Sequence, residues 1–242
     1  MAGRGGFTVG GVLRRMALLL DRHGGPLAAA ALVMVGLPAL LTVSHPLASH
    51  VTEAPSGVSR AGTSDWVSVA LLLRLVVQAL FDGFVIATAF ADMRGERPDV
   101  PAALRAALRA LVPLLLLGLL SILAFTLGFL LLVVPGIMLS CAWVVVRPAY
   151  MAEAPGLFAA FGRSRRLTAG HRWTIFGLGV LYAVTLAAGA FLGLFLVDSL
   201  LPSGFAWLAA PLGSAALALG TALGTVAIYI ELRLVEDGPA PA

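Results

Sequence analysis

Long apolar runs separated by short polar joints make up most of this 242-residue chain. A membrane-crossing helix needs about 17–25 consecutive apolar residues. Six stretches meet that requirement, at about 26–43, 66–90, 111–134, 136–152, 173–200 and 205–230. No joint between them is long enough for a separate soluble domain. The pattern therefore predicts one all-α integral membrane domain over 1–242 with six transmembrane helices. A second periodicity runs through three of the joints, where apolar residues recur every three or four positions with arginines between them. Val9, Leu13, Met16 and Leu20 show it first, then Val100, Leu104, Leu108 and Leu111, then Leu157 and Phe161. These predict short amphipathic surface helices at about 7–22, 99–110 and 156–169, the second capped by Asp99 with Pro101 in its first turn. Because each surface helix leads into a membrane hairpin, the chain suggests a repeated two-helix unit.

The joint inside LVVPGIM carries no polar residue, so the turn expected at Pro135-Gly136 must be shielded by protein or sit at an interface. Small residues recur at fourfold spacing in Thr185, Gly189 and Gly193 and in Ala216, Gly220 and Gly224. That spacing allows close backbone approach in lipid and predicts packing of the last two spans against each other.

Composition sharpens the class. Hydrophobic residues make up 60% of the chain and charged residues 12%, about half the charged share of soluble domains, and the mean hydropathy is +1.00. All 16 basic residues are arginine, and their placement alternates. Arg4, Arg14, Arg15 and Arg22 precede the first span, Arg94, Arg97, Arg105 and Arg109 lie between the second and third, and Arg163, Arg165, Arg166 and Arg172 lie between the fourth and fifth. Arg233 follows the sixth, whereas the alternate joints hold only Arg60. The positive-inside rule then places both termini in the cytoplasm. The net charge of +4 reads as a membrane-surface footprint rather than nucleic-acid binding. The first apolar run exceeds a signal-peptide core and lacks a clean cleavage site, so it reads as a retained helix. Cys141, the single cysteine, has no companion for a disulfide or metal site. His45 and His50 match no zinc spacing, no serine sits in a nucleophile-elbow context, and no cofactor is expected.

Polar residues inside the spans are few. Arg74, Gln78 and Asp82 lie at i, i+4 and i+8, on one helix face, and intramembrane ionisable groups are functional candidates by default. They are expected to form a structural ladder with Gln78 between the charges; the sharper alternative is a binding or conduction path. Arg147 is expected to snorkel to the cytoplasmic interface. Arg163, Arg166, Arg105 and Arg109 are candidates for lipid-headgroup contact, and Glu153 with Arg165 for a structural pair.

From 91 to 238 the chain resembles the membrane domain found beside the catalytic part of some bacterial glycerophosphoryl diester phosphodiesterases. The resemblance rests on Gly95, Arg97-Pro98, Ala102-Ala103-Leu104-Arg105, LLVVPGI at 131–137, Trp143, Pro148 and Glu153, then Arg163-Ser164-Arg165-Arg166-Leu167, Gly170 and Arg172-Trp173. Tyr229, Glu231-Leu232-Arg233, Glu236 and Gly238 complete it. It implies a stand-alone, multi-pass protein of the bacterial inner membrane. It implies no catalytic residues, and no phosphodiesterase catalytic domain is expected within these 242 residues.

Two functions are compatible with these features. The first is a non-enzymatic, lipid-facing accessory or organising module with anionic lipid as its partner at the cytoplasmic surface. The second is a small-solute or ion transporter or channel that uses the polar face of Arg74, Gln78 and Asp82. Burial separates them: a dry, self-paired stripe fits the module, and a shared polar cavity fits transport.

Overall fold

A computed structural model describes residues 7–39, 65–96, 99–153, 156–200 and 209–237. His45, His50 and Arg60 lie outside the described residues, as do Arg97 and Pro98. The described chain is helical, without a strand. Its elements are α1 (Val9–Ala31), α2 (Asp65–Met93), α3 (Val100–Leu131), α4 (Val133–Trp143), α5 (Val146–Glu153), α6 (Leu157–Leu167), α7 (Arg172–Leu200) and α8 (Ala209–Asp237). Six helical segments are long and apolar enough to cross a membrane: Val9–Ala39, Leu72–Met93, Val100–Leu131, Val133–Glu153, Arg172–Gly189 and Pro211–Asp237. The expected all-α architecture, with six helices able to span a membrane, is therefore present among the described residues.

Two of the three expected surface helices are not separate elements. The 7–22 segment continues without a break through Pro26, and a π-helical turn at Leu32–Gly36 carries the helix further. Likewise the 99–110 segment is the first third of the 32-residue α3, which runs through Pro113. Either helix, at 1.5 Å per residue, is about 45 Å long or more, well beyond a hydrocarbon core of about 30 Å. Proline costs one ladder hydrogen bond, yet the helix continues through both prolines. Thr8 caps α1, its Oγ1 accepting from Gly11 N–H at 3.1 Å. Asp99 occupies the cap position of α3 but makes no side-chain capping bond. The third segment does form its own helix, α6, with Ala160, Ser164 and Leu167 on its buried side.

The apolar hairpin turns earlier than the proline pattern suggests. Leu132 alone is extended (φ −166°, ψ 144°), and Pro135 and Gly136 already lie in α4. A Cβ on Gly136 would stand 2.7 Å from the Phe129 ring, and one on Gly128 would stand 3.1 Å from Gly136 Cα. Glycine at these positions is what lets α3 and α4 close so tightly.

The fourth span is interrupted. Its helix stops at Trp143 and resumes at Val146, and irregular backbone at membrane depth persists only where protein satisfies it. Here the carbonyl of Ala142 accepts from Ser164 Oγ at 2.9 Å and from Thr168 Oγ1 at 3.3 Å. Both donors have no exposed surface, so α6 and the turn after it cover the interruption.

The main apolar core lies where α1, α2 and α8 meet, around Val12, Leu27, Phe81, Val85 and Val226, all within 1% of full burial. Gly36 and Glu231 mark the two ends of the α1–α8 seam. A Cβ on Gly36 would lie 3.2 Å from the Pro211 carbonyl, and Arg15 Nε lies 2.6 Å from Glu231. The last two spans meet differently from the small-residue expectation. Tyr182 lies over Gly220 and donates to the Leu217 carbonyl at 2.9 Å, while Gly189 and Gly224 face open space.

Candidate functional site: an ion pair in an intramembrane cavity

Asp82 sits well inside α2 and is 6% exposed. A carboxylate there needs an opposite charge and further hydrogen bonds, because leaving it alone in hydrocarbon is costly. Gln78, one turn earlier on α2, donates to Asp82 Oδ1 at 3.0 Å. The opposite charge comes from across the bundle, where Arg147 Nη1 bonds Asp82 Oδ2.

Arg147 lies in the first turn of α5, immediately after the interruption in the fourth span. Its side chain turns to Asp82 instead of snorkelling, which its position near the end of an apolar run suggests. Its guanidinium passes over Gly118 of α3, where a Cβ would stand 2.8 Å from Nη2. Three elements thus build the pair: α2 supplies the acid, the restarted helix supplies the base, and α3 supplies the space between them.

The expected ladder of Arg74, Gln78 and Asp82 forms only in its second half. Arg74 is exposed and makes no bond to Gln78. A shared helix face correctly groups Gln78 with Asp82, whereas Arg74, on the third turn of α2, stays exposed on the outside of the bundle.

The pair borders a cavity of about 360 Å³ whose polar lining includes Ser121, Ser140, Thr221 and Thr225, with Phe125 and Trp143 as aromatic wall. At about 30 Å³ per molecule in the liquid, that is room for roughly ten waters. Each hydroxyl gives its one proton to its own helix. Ser121 donates to Leu117 at 2.7 Å, Ser140 to Gly136 at 2.8 Å, Thr221 to Leu217 at 2.8 Å and Thr225 to Ala222 at 2.9 Å. What these groups offer an occupant is therefore acceptor lone pairs. Donors come from Arg147, whose side chain is 32% exposed against 8% for Asp82.

A second polar assembly ties helix ends together. Arg163 on α6 chelates Glu153 through Nε at 2.8 Å and Glu236 through Nη2 at 2.5 Å. Tyr229 Oη donates to Glu153 at 3.1 Å, and Arg233 lies 3.5 Å from the same carboxylate. The hydrogen bonds to Glu236, and then to Glu153, raise the Arg163 pKa above its ordinary value. Further along, Asp92 at the end of α2 receives Arg22 at 3.3 Å and His23 at 2.9 Å. The partner of Glu153 is thus Arg163 and not Arg165, which is exposed. The reason is rotational: Ser164 must face Ala142, and Arg163 then turns toward the ends of α5 and α8. Arg163, expected at lipid phosphate, is committed to this cluster with 13% side-chain exposure. Arg166, Arg105 and Arg109 are exposed, and Arg105 Nε donates to the Pro101 carbonyl at 3.2 Å.

Sequence reasoning leaves Arg147 and Gly118 outside the site. One signal points to them: a charge placed just where an apolar span contains a run of three valines, opposite a glycine in the neighbouring span. Among the described residues no group of His, Cys, Asp and Glu could hold a metal ion. Comparison of the chain with known protein families, curated proteins and solved structures returns no match.

Proposed function

We propose that this integral membrane protein binds and passes a small polar solute through the cavity at Asp82 and Arg147. One observation carries this reading: a paired acid and base within the bundle border a half-open cavity that has four hydroxyls in its lining. Neutrality restricts the occupant. A lone ion entering the site would leave one charge of the pair without its equal, which is expensive in a low-dielectric interior. A neutral or zwitterionic solute keeps the balance, giving acceptors to Arg147 and donors to Asp82 and the four hydroxyls. No group here is arranged as a nucleophile with its base, so the proposed role is non-enzymatic.

In the test, the protein is reconstituted into vesicles and swelling is followed by stopped-flow light scattering in glycerol, urea and glycine. Passage of at least one solute above protein-free vesicles is expected, with loss in folded Asp82→Asn protein. Permeability equal to protein-free vesicles for all three would reject the proposal. A lipid-facing organising role is the second reading, favoured by the exposed Arg105, Arg109 and Arg166 and by the resemblance to the phosphodiesterase membrane domain. On either reading the arginine asymmetry supports cytoplasmic termini, and the resemblance supports a bacterial inner membrane.

A further inference from the structure

Away from the central cavity, an apolar groove of about 530 Å³ runs between α4 and the start of α7. Val134, Ile137, Met138 and Cys141 form one wall, and Phe176 and Trp173 the other. The α4 wall alone is about 10 Å long, from Val134 to Cys141. Met138 is 49% exposed and Trp173 85% exposed, so the groove opens sideways out of the bundle, where lipid would lie. At one end stands Arg172, the groove's one charged residue among those described.

Arg172 differs from the other half-buried arginines. Arg15, Arg147 and Arg163 each hold a carboxylate, whereas Arg172 has no ion pair among the described residues. Its Nε is buried without a hydrogen-bond partner, and so is Nδ1 of the adjacent His171. Buried polar atoms are almost always satisfied, so an unpaired guanidinium at the end of a groove points to a missing acceptor. Trp173, next in sequence, has the amphipathic ring favoured at headgroup level.

We propose that this groove holds an acyl chain of an anionic phospholipid whose phosphate sits at Arg172. Apolar walls open to the bilayer admit a hydrocarbon chain. The guanidinium at the end of the groove selects the charged headgroup, because a phosphate gives it the bidentate acceptor it otherwise lacks. A chain in the groove gains little over a chain in bulk lipid, which is equally apolar. Selection must therefore come from the headgroup, and the groove fixes where that headgroup sits.

Native mass spectrometry of the detergent-solubilised full chain, titrated with phosphatidylglycerol or phosphatidylcholine of equal chain length, tests this. Wild-type protein should retain phosphatidylglycerol about fivefold or more in preference, the factor expected of one charge at a membrane surface. The preference should vanish in Arg172→Gln, persist in part in Arg172→Lys, and vanish in Met138→Trp, which fills the groove without altering charge. It should be unchanged in Arg166→Gln, an exposed arginine elsewhere. If Arg172→Gln does not fold, as judged by helical circular dichroism, the Met138→Trp result decides. A preference that survives in folded Met138→Trp, or that disappears with Arg166, overturns the proposal. So does displacement of the lipid by millimolar inorganic phosphate, which would mark a phosphate site independent of any acyl chain.

Discussion

Removing both members of the Asp82–Arg147 pair should cost the fold clearly less than the sum of removing each alone. Asp82→Asn keeps the shape and the bond to Gln78 but leaves the Arg147 guanidinium without a counter-charge beside Gly118. Breaking a buried pair in this way costs about 3–5 kcal/mol, most of it from the charge left behind. Arg147→Met strands the Asp82 carboxylate, which is only 8% exposed in its side chain, and the loss should be as large. In Asp82→Asn/Arg147→Met no charge remains, so the two losses should not add. A coupling energy of about 2–3 kcal/mol is expected, the upper range for contacting residues. Cys141 supplies the assay. It is the single cysteine and is buried, so a thiol-reactive fluorogenic dye lights up as the bundle opens on heating. For a chain of this size each kcal/mol moves the midpoint by about 2–4 °C. Each single variant should then fall by roughly 6–20 °C, and the double variant by clearly less than the sum. Additive losses would refute the claim that these residues act as a pair.

Three further sets of substitutions probe the surroundings. Gly118→Ala places a methyl group where the Arg147 guanidinium lies and should lower the dye midpoint, whereas Gly224→Ala, with open space around it, should not. Arg163→Met removes the shared partner of Glu153 and Glu236 and should destabilise by about 1.5–3 kcal/mol, while Arg165→Met should stay within about 0.5 kcal/mol; equal effects would contradict the assigned pairing. Thr168→Val combined with Ser164→Ala strips both side-chain donors from the Ala142 carbonyl and should cost about 1–3 kcal/mol in the same melt; no change would mean that the helix interruption does not depend on α6.

Much of the fold is legible in the sequence because hydrocarbon permits few solutions. A stretch such as 111–134 must be a helix, and six such stretches make a polytopic bundle. The segment ends are harder to read. Amphipathic periodicity in 7–22 and 99–110 identifies helices correctly but gives no indication that Pro26 and Pro113 are absorbed into longer ones. The site is half legible. Periodicity places Gln78 and Asp82 on one face, since that depends only on local geometry. The identity of Asp82's counter-charge is a tertiary fact, and Arg147 lies 65 positions away. Reading Arg147 as a snorkelling residue follows from its distance to the end of its run. The break at Val144–Val145, which turns the start of α5 toward the bundle, has no polar residue to announce it. Ser164 and Thr168, which cover that break, look in the sequence like ordinary polar residues of a surface helix.

The most direct test of the cavity is its accessibility to water-borne reagents. In a Cys141→Ala background, single cysteines at Ser140 and Thr225, which line the cavity, would be challenged in vesicles with a charged, membrane-impermeant methanethiosulfonate. A cysteine at Leu130, 80% exposed on the outside of the bundle, serves as the lipid-facing control. The cavity account predicts modification at Ser140→Cys and Thr225→Cys, slowed by glycerol or glycine, while Leu130→Cys stays unreactive. Cavity cysteines no more reactive than Leu130→Cys would mean that the polar face of α2 is dry, and the solute-binding account would fail.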